Sequence, residues 1–131
     1  MPRRWTTVAV LSFALMFFSM PHVLVDFAVG EPLKRGVAAP VIAFVVSVLL
    51  AVQAVGLLWL GQRRRIGLWC HAVIGVVWPV AAGGAQLAEV LAEGVYRSGA
   101  ISAAYVIGVI AVGVTMAVVS GVALVGQRSA R

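Results

Sequence analysis

Charge is absent from four long stretches of this chain: residues 5–25, 36–62, 66–88 and 98–127, of 21, 27, 23 and 30 residues. An α-helix rises about 1.5 Å per residue, so about 20 apolar residues cross a hydrocarbon core of about 30 Å. Every one of the four is long enough. The expected fold is therefore all-α: an integral membrane bundle of four transmembrane helices in one domain, residues 1–131. Its spans should lie near 5–29, 37–60, 66–91 and 98–125. These spans and their short loops use the whole length, which leaves no room for a second domain.

Composition excludes a soluble globule. The chain is 63% hydrophobic and 11% charged, against about 25% charged in an average soluble domain. The net charge of +6 would suit a nucleic-acid partner, but its distribution speaks against one. Arg3, Arg4, Arg63, Arg64, Arg65, Arg128 and Arg131 all fall on one side if the helices alternate direction, and Lys34, Arg35 and Arg97 fall on the other. Seven against three follows the positive-inside rule and places both termini in the cytoplasm. The four acidic residues, Asp26, Glu31, Glu89 and Glu93, then lie on the outer side. Basic flanks of this kind bind anionic headgroups, so the bilayer is the expected partner and nucleic acid is not.

Local signals agree with this layout. Trp5, Trp59 and Trp69 stand where an indole favours the headgroup boundary. Gly30-Glu31-Pro32 should end the first span. The Pro2-Arg3-Arg4 start resembles the head of a signal peptide, but the apolar run is long and no cleavage site follows, so a retained helix is expected. Pro79 should kink the third span, and the kink should face protein, because the carbonyl it frees needs a partner that lipid lacks. In the fourth span two ridges of small residues, Ala100–Ala104–Gly108 and Gly113–Ala117–Gly121, should let backbones approach closely. Cys70 is the only cysteine, which rules out an intrachain disulfide and a cysteine-ligated metal within one chain.

Polar residues inside the spans carry the functional content, since each costs free energy in hydrocarbon unless it is paired or wet. Ser12, Ser19, His22 and Asp26 share one face of the first helix. Gln86, Glu89 and Glu93 do so on the third, and Ser98, Ser102 and Tyr105 on the fourth. His22, Asp26, Gln86, Glu89, Glu93 and Tyr105 are thus the candidates for an outward-facing ligand or proton site. An imidazole among carboxylates could hold a divalent cation, relay protons or bind a polar organic molecule. The competing reading is that the acidic residues only mark helix ends in the headgroup layer, with His22 bonded to Asp26. Gln53 should bridge helices deep in the second span. His71, some 22 Å of helix away from Gln86, cannot join the outer group and should bond to a neighbouring helix. A haem shared with another subunit is a remoter option for it.

No nucleotide-binding loop, H-E-x-x-H helix, nucleophile elbow or dinucleotide fingerprint is present. The size and four-helix layout resemble the small multidrug exporters in architecture, but those carry a carboxylate in the middle of the first helix, where Ser12-Phe13-Ala14-Leu15 stands here. The expected function is non-enzymatic: an accessory or assembly subunit, or a small-solute transport component, of the cell membrane, alone or as a homo- or hetero-oligomer. The alternative is an intramembrane enzyme acting on a lipid-soluble substrate through His22 and a carboxylate. The sequence identifies no cofactor.

Overall fold

Each uncharged stretch becomes a helix. The computed structural model describes residues 2–97 and 99–128. Its helices are α1 (Pro2–Ala28), α2 (Glu31–Lys34), α3 (Ala39–Gly61), α4 (Arg65–Leu91) and α5 (Ala100–Arg128). Among the described residues there is no strand. Helices α1, α3, α4 and α5 are each long and apolar enough to cross a bilayer. The single turn of α2, which the sequence reading assigned to a loop, forms because Gly30, at φ +70°, turns the chain out of α1 and Pro32 suits a first helical turn. The expected Ser98 stripe position and Arg131 lie outside the described residues.

Buried positions along α1 run Val8, Ser12, Leu15, Ser19, His22, and along α5 Ser102, Val106, Val109, Gly113, Met116, Ser120. Both alternate steps of four and three, the repeat that lets two helices keep one seam in contact over many turns. Helix α5 uses it to pack against α4 and α1, while α3 packs on α4. Helix α3 buries only Gln53, Gly56 and Leu60, and its remaining surface is apolar. Valine and phenylalanine on that surface suit lipid acyl chains, so their exposure is not a defect in a membrane.

Small residues set the closest approaches, though over a shorter length than expected. A Cβ added at Gly75 would lie 2.7 Å from Gly113 O and 2.8 Å from Ala117 N. One added at Gly113 would lie 2.5 Å from the Pro79 ring. Pro79 therefore faces protein, against α5. Gly108 sits against the Phe18 ring of α1. The ridge stops there: Gly121 has nothing within 4 Å, and Ala100 and Ala104 are exposed.

The α3–α4 connection is short and shaped by Arg63. This residue takes φ +54°, while Arg63 N–H donates to Leu60 O at 2.9 Å and Arg64 N–H to Trp59 O at 2.8 Å. That pair of bonds is the Schellman closure, which caps the last carbonyls of α3 and is usually made with glycine at the left-handed position.

Candidate functional site

At the end of the bundle where α1 finishes, α2 lies and α4 finishes, the charged residues collect around one guanidinium. Arg97 belongs to the segment between α4 and α5, and that segment is bent by positive φ at Gly94 (+110°), Arg97 (+44°) and Gly99 (+95°). Glycine tolerates such angles, and the bend turns Arg97 inward. Its side chain is only 7% exposed. Nη1 donates to Asp26 Oδ1 of α1. Nη2 lies 3.1 Å from Glu31 Oε1 of α2 and 3.6 Å from Glu89 Oε2 of α4. Arg35 doubles the linkage, at 2.9 Å from Glu31 Oε1 and 3.0 Å from Glu89 Oε1.

A second, uncharged chain of hydrogen bonds meets the same carboxylate. Asp26 can only accept when ionised, so the Gln86 amide turns its Nε2 towards Asp26 Oδ2, 2.7 Å away. Gln86 Oε1 then accepts from Tyr96 Oη at 3.0 Å. Both oxygens of Asp26 are thereby engaged. His22 Nε2 stands 3.7 Å from Asp26 Oδ2, which is too far for a hydrogen bond. The Tyr96 phenol is pushed up to about 12 by burial first, and then by the nearby Glu89 and Glu31 carboxylates. Burial also pulls Arg97 below its usual value.

The Tyr96 shift has a definite sign for stability. A pKa raised from about 10 to about 12 means the folded state holds the phenol proton more tightly. The contribution is full below the unfolded value and is lost as pH rises through the folded one. Wild-type protein should therefore lose thermal stability between about pH 10 and pH 12, and Tyr96→Phe should flatten that decline. An equal decline in both proteins would show that Tyr96 does not carry it.

The structure brings together His22, Asp26, Gln86 and Glu89 of the six sequence candidates. Glu93 is left out because α4 ends at Leu91. It is exposed, off the helix face expected for it, and forms no ion pair with the described residues. Tyr105 is half-buried on α5 and makes no hydrogen bond among them, so Tyr96 is the tyrosine of this site. Glu31, Arg35, Tyr96 and Arg97 were missed as site residues. Three cations, Lys34, Arg35 and Arg97, set among four carboxylates at this end were the available signal. Among the described residues, no group of three His, Cys, Asp or Glu side chains could hold a metal ion.

Beside this network lies a cavity of about 210 Å³ between α1, α3 and α4. His22, Asp26, Glu31, Arg35 and Gln86 form its polar end, and Val46, Leu49, Trp78 and Ala82 are among its apolar walls. Its lining reaches no deeper than Leu49 on α3 and Trp78 on α4.

Below it a separate polar cluster joins three helices. His71 Nδ1 lies 2.7 Å from Gly67 O; a carbonyl only accepts, so Nδ1 carries the proton and Nε2 is bare. Ser12 Oγ therefore donates to His71 Nε2 at 3.0 Å and accepts from Gln53 Nε2 at 2.9 Å. Gln53 Nε2 also reaches Ser12 O at 2.9 Å. All three side chains are fully buried. The bridging roles expected of Gln53 and His71 are thus present, and Gly56 leaves the room that the His71 ring occupies. The arrangement ties α1 to α3 and α4, below the level at which the cavity separates α1 from α3. No protein-family model, curated protein or solved structure matches this chain.

Proposed function

We propose that this four-helix membrane protein is a non-enzymatic component of the cell membrane that takes a small lipid-soluble solute into the His22–Trp78 cavity, in an accessory or solute-transport role. The observation that carries the reading is the state of the carboxylates. Asp26, Glu31 and Glu89 are held by Arg97 and Arg35, so none stands free as an acid or base. A cavity with one polar end and apolar walls has the character of a binding site for a mainly apolar molecule. A dry cavity of about 150 Å³ takes up benzene, and this one is larger. The enzyme alternative keeps one supporting observation, His22 at the cavity wall beside Asp26.

Native purification followed by mass spectrometry of bound small molecules separates these readings. A lipid-soluble compound should accompany the wild-type protein and be lost from Val46→Phe, which narrows the cavity from α3. Retention of the same compound by the variant would contradict the binding site. Chemical conversion of the compound by wild-type protein, abolished in His22→Ala, would favour the enzyme.

The same proposal includes both termini in the cytoplasm, supported by the seven-to-three distribution of basic residues. Reporter fusions after Arg131 and within Arg63–Arg65 should report cytoplasm, and one near Glu31 the opposite side. An external C-terminus would overturn this orientation and the outer placement of the Arg97 network.

A further inference from the structure

Towards the end of the bundle opposite the Arg97 network, α1 and α3 part. Gln53 joins them at Ser12, and from that level to the α3–α4 connection a groove of about 460 Å³ runs between them. Trp5, Ala9 and Phe13 of α1 and Leu57 and Leu58 of α3 line it, and Arg63, just past the end of α3, stands at its mouth. Trp5 to Phe13 is about 12 Å of helix, most of one leaflet of a hydrocarbon core of about 30 Å. Phe13 and Leu58 are exposed, so the groove opens to lipid. Its depth and apolar walls suit an acyl chain.

The mouth carries charge that the chain does not answer. Arg3, Arg4, Arg63, Arg64, Arg65 and Arg128 gather at this end, while Asp26, Glu31, Glu89 and Glu93 all belong to the other. A counter-ion for Arg63 therefore comes from outside the chain. Arg63 is also the residue at φ +54°, an angle that glycine takes freely and arginine only at a cost. Stability alone would favour glycine there, so the arginine side chain points to a use beyond the turn. A guanidinium matches a phosphate with paired hydrogen bonds. A zwitterionic headgroup would add an ammonium, which at this end meets further arginines and no carboxylate. We propose that the groove holds one anionic phospholipid, its phosphate on Arg63 and an acyl chain between α1 and α3. This site is separate from the solute cavity and does not depend on it.

The test titrates the whole protein in detergent with phosphatidylglycerol and phosphatidylcholine of the same two acyl chains and counts bound lipid by native mass spectrometry. One phosphatidylglycerol should bind about tenfold more tightly than phosphatidylcholine, the equivalent of one charge-assisted hydrogen bond. Arg63→Gly should remove that preference. Its thermal stability in phosphatidylcholine should stay at or above wild type, since glycine relieves the left-handed angle, which separates lost binding from lost fold. Arg64→Ala removes the same charge from outside the groove lining and should weaken binding far less. Ala9→Leu fills the groove and should lose the lipid with Arg63 still in place. Glycerol 3-phosphate, a headgroup without chains, should not displace it. Equal affinity for the two lipids, or equal losses from Arg63→Gly and Arg64→Ala, would overturn the site in favour of a diffuse field. Undiminished binding by Ala9→Leu, or displacement by glycerol 3-phosphate, would reveal an anion site without an acyl chain and overturn it as well.

Discussion

Replacing Arg97 by leucine should destabilise the protein by about 3 kcal/mol in reversible unfolding from bicelles, the low end of what removing one partner of a buried ion pair costs. The loss is not the attraction itself but the carboxylates left behind. Asp26 and Glu31 are 18% and 12% exposed, and Arg97 faces both. Arg35 remains to hold Glu31 and Glu89, which limits the damage. Arg97→Lys should lie between wild type and leucine, because an ammonium keeps the charge but cannot fork between three carboxylates. Glu89→Gln should cost less than about 1 kcal/mol, as that side chain is half exposed. If Arg97→Leu and Glu89→Gln unfold alike, the guanidinium is not the centre of the network.

The second large effect is expected at the α4–α5 crossing. Gly75→Leu would drive a Cβ into the backbone of Gly113 and Ala117, and Gly113→Leu would drive one into the Pro79 ring and within 3.2 Å of Gly75 O. Neither a helix backbone nor a proline ring can swing aside, so the helices must separate. Overpacking of this kind costs about 1–3 kcal/mol, and Gly75, with backbone on every side of its contact, should lie at the top of that range. Gly108→Leu meets the Phe18 side chain, which can rotate, and should cost less. Gly121→Leu meets nothing within 4 Å and should stay within about 0.5 kcal/mol of wild type. A uniform loss across all four would mean that helix propensity, not contact, decides.

How far the sequence could be read follows from which properties are local. Four spans were legible because hydropathy and length belong to each segment alone. His22, Asp26 and Gln86 were legible because one-turn spacing fixes the face of a helix whatever packs on it. Glu93 was misplaced for the converse reason: the face argument holds only while the helix lasts, and α4 ends at Leu91. Arg97 was counted only as a loop charge. Its partners depend on a path through left-handed backbone at Gly94, Arg97 and Gly99, and no periodicity encodes where such a path leads. The small-residue ridge of α5 was half legible: its spacing marks a surface suited to close approach, and Gly108, Gly113 and Ala117 meet a neighbouring helix, but Gly121 meets nothing within 4 Å and Ala100 and Ala104 are exposed.

What joins the fold to its cavity is one loop side chain clasping α1, α2 and α4 at the polar end of the site. A double-mutant cycle between Arg97→Leu and Asp26→Leu, read by unfolding in bicelles, measures that clasp directly. The double variant should be more stable than the sum of the single losses allows, with a coupling of about 1.5 kcal/mol or more, since removing both charges leaves neither one stranded. Losses that add to within about 0.5 kcal/mol would show two independent residues, and the clasp would not exist.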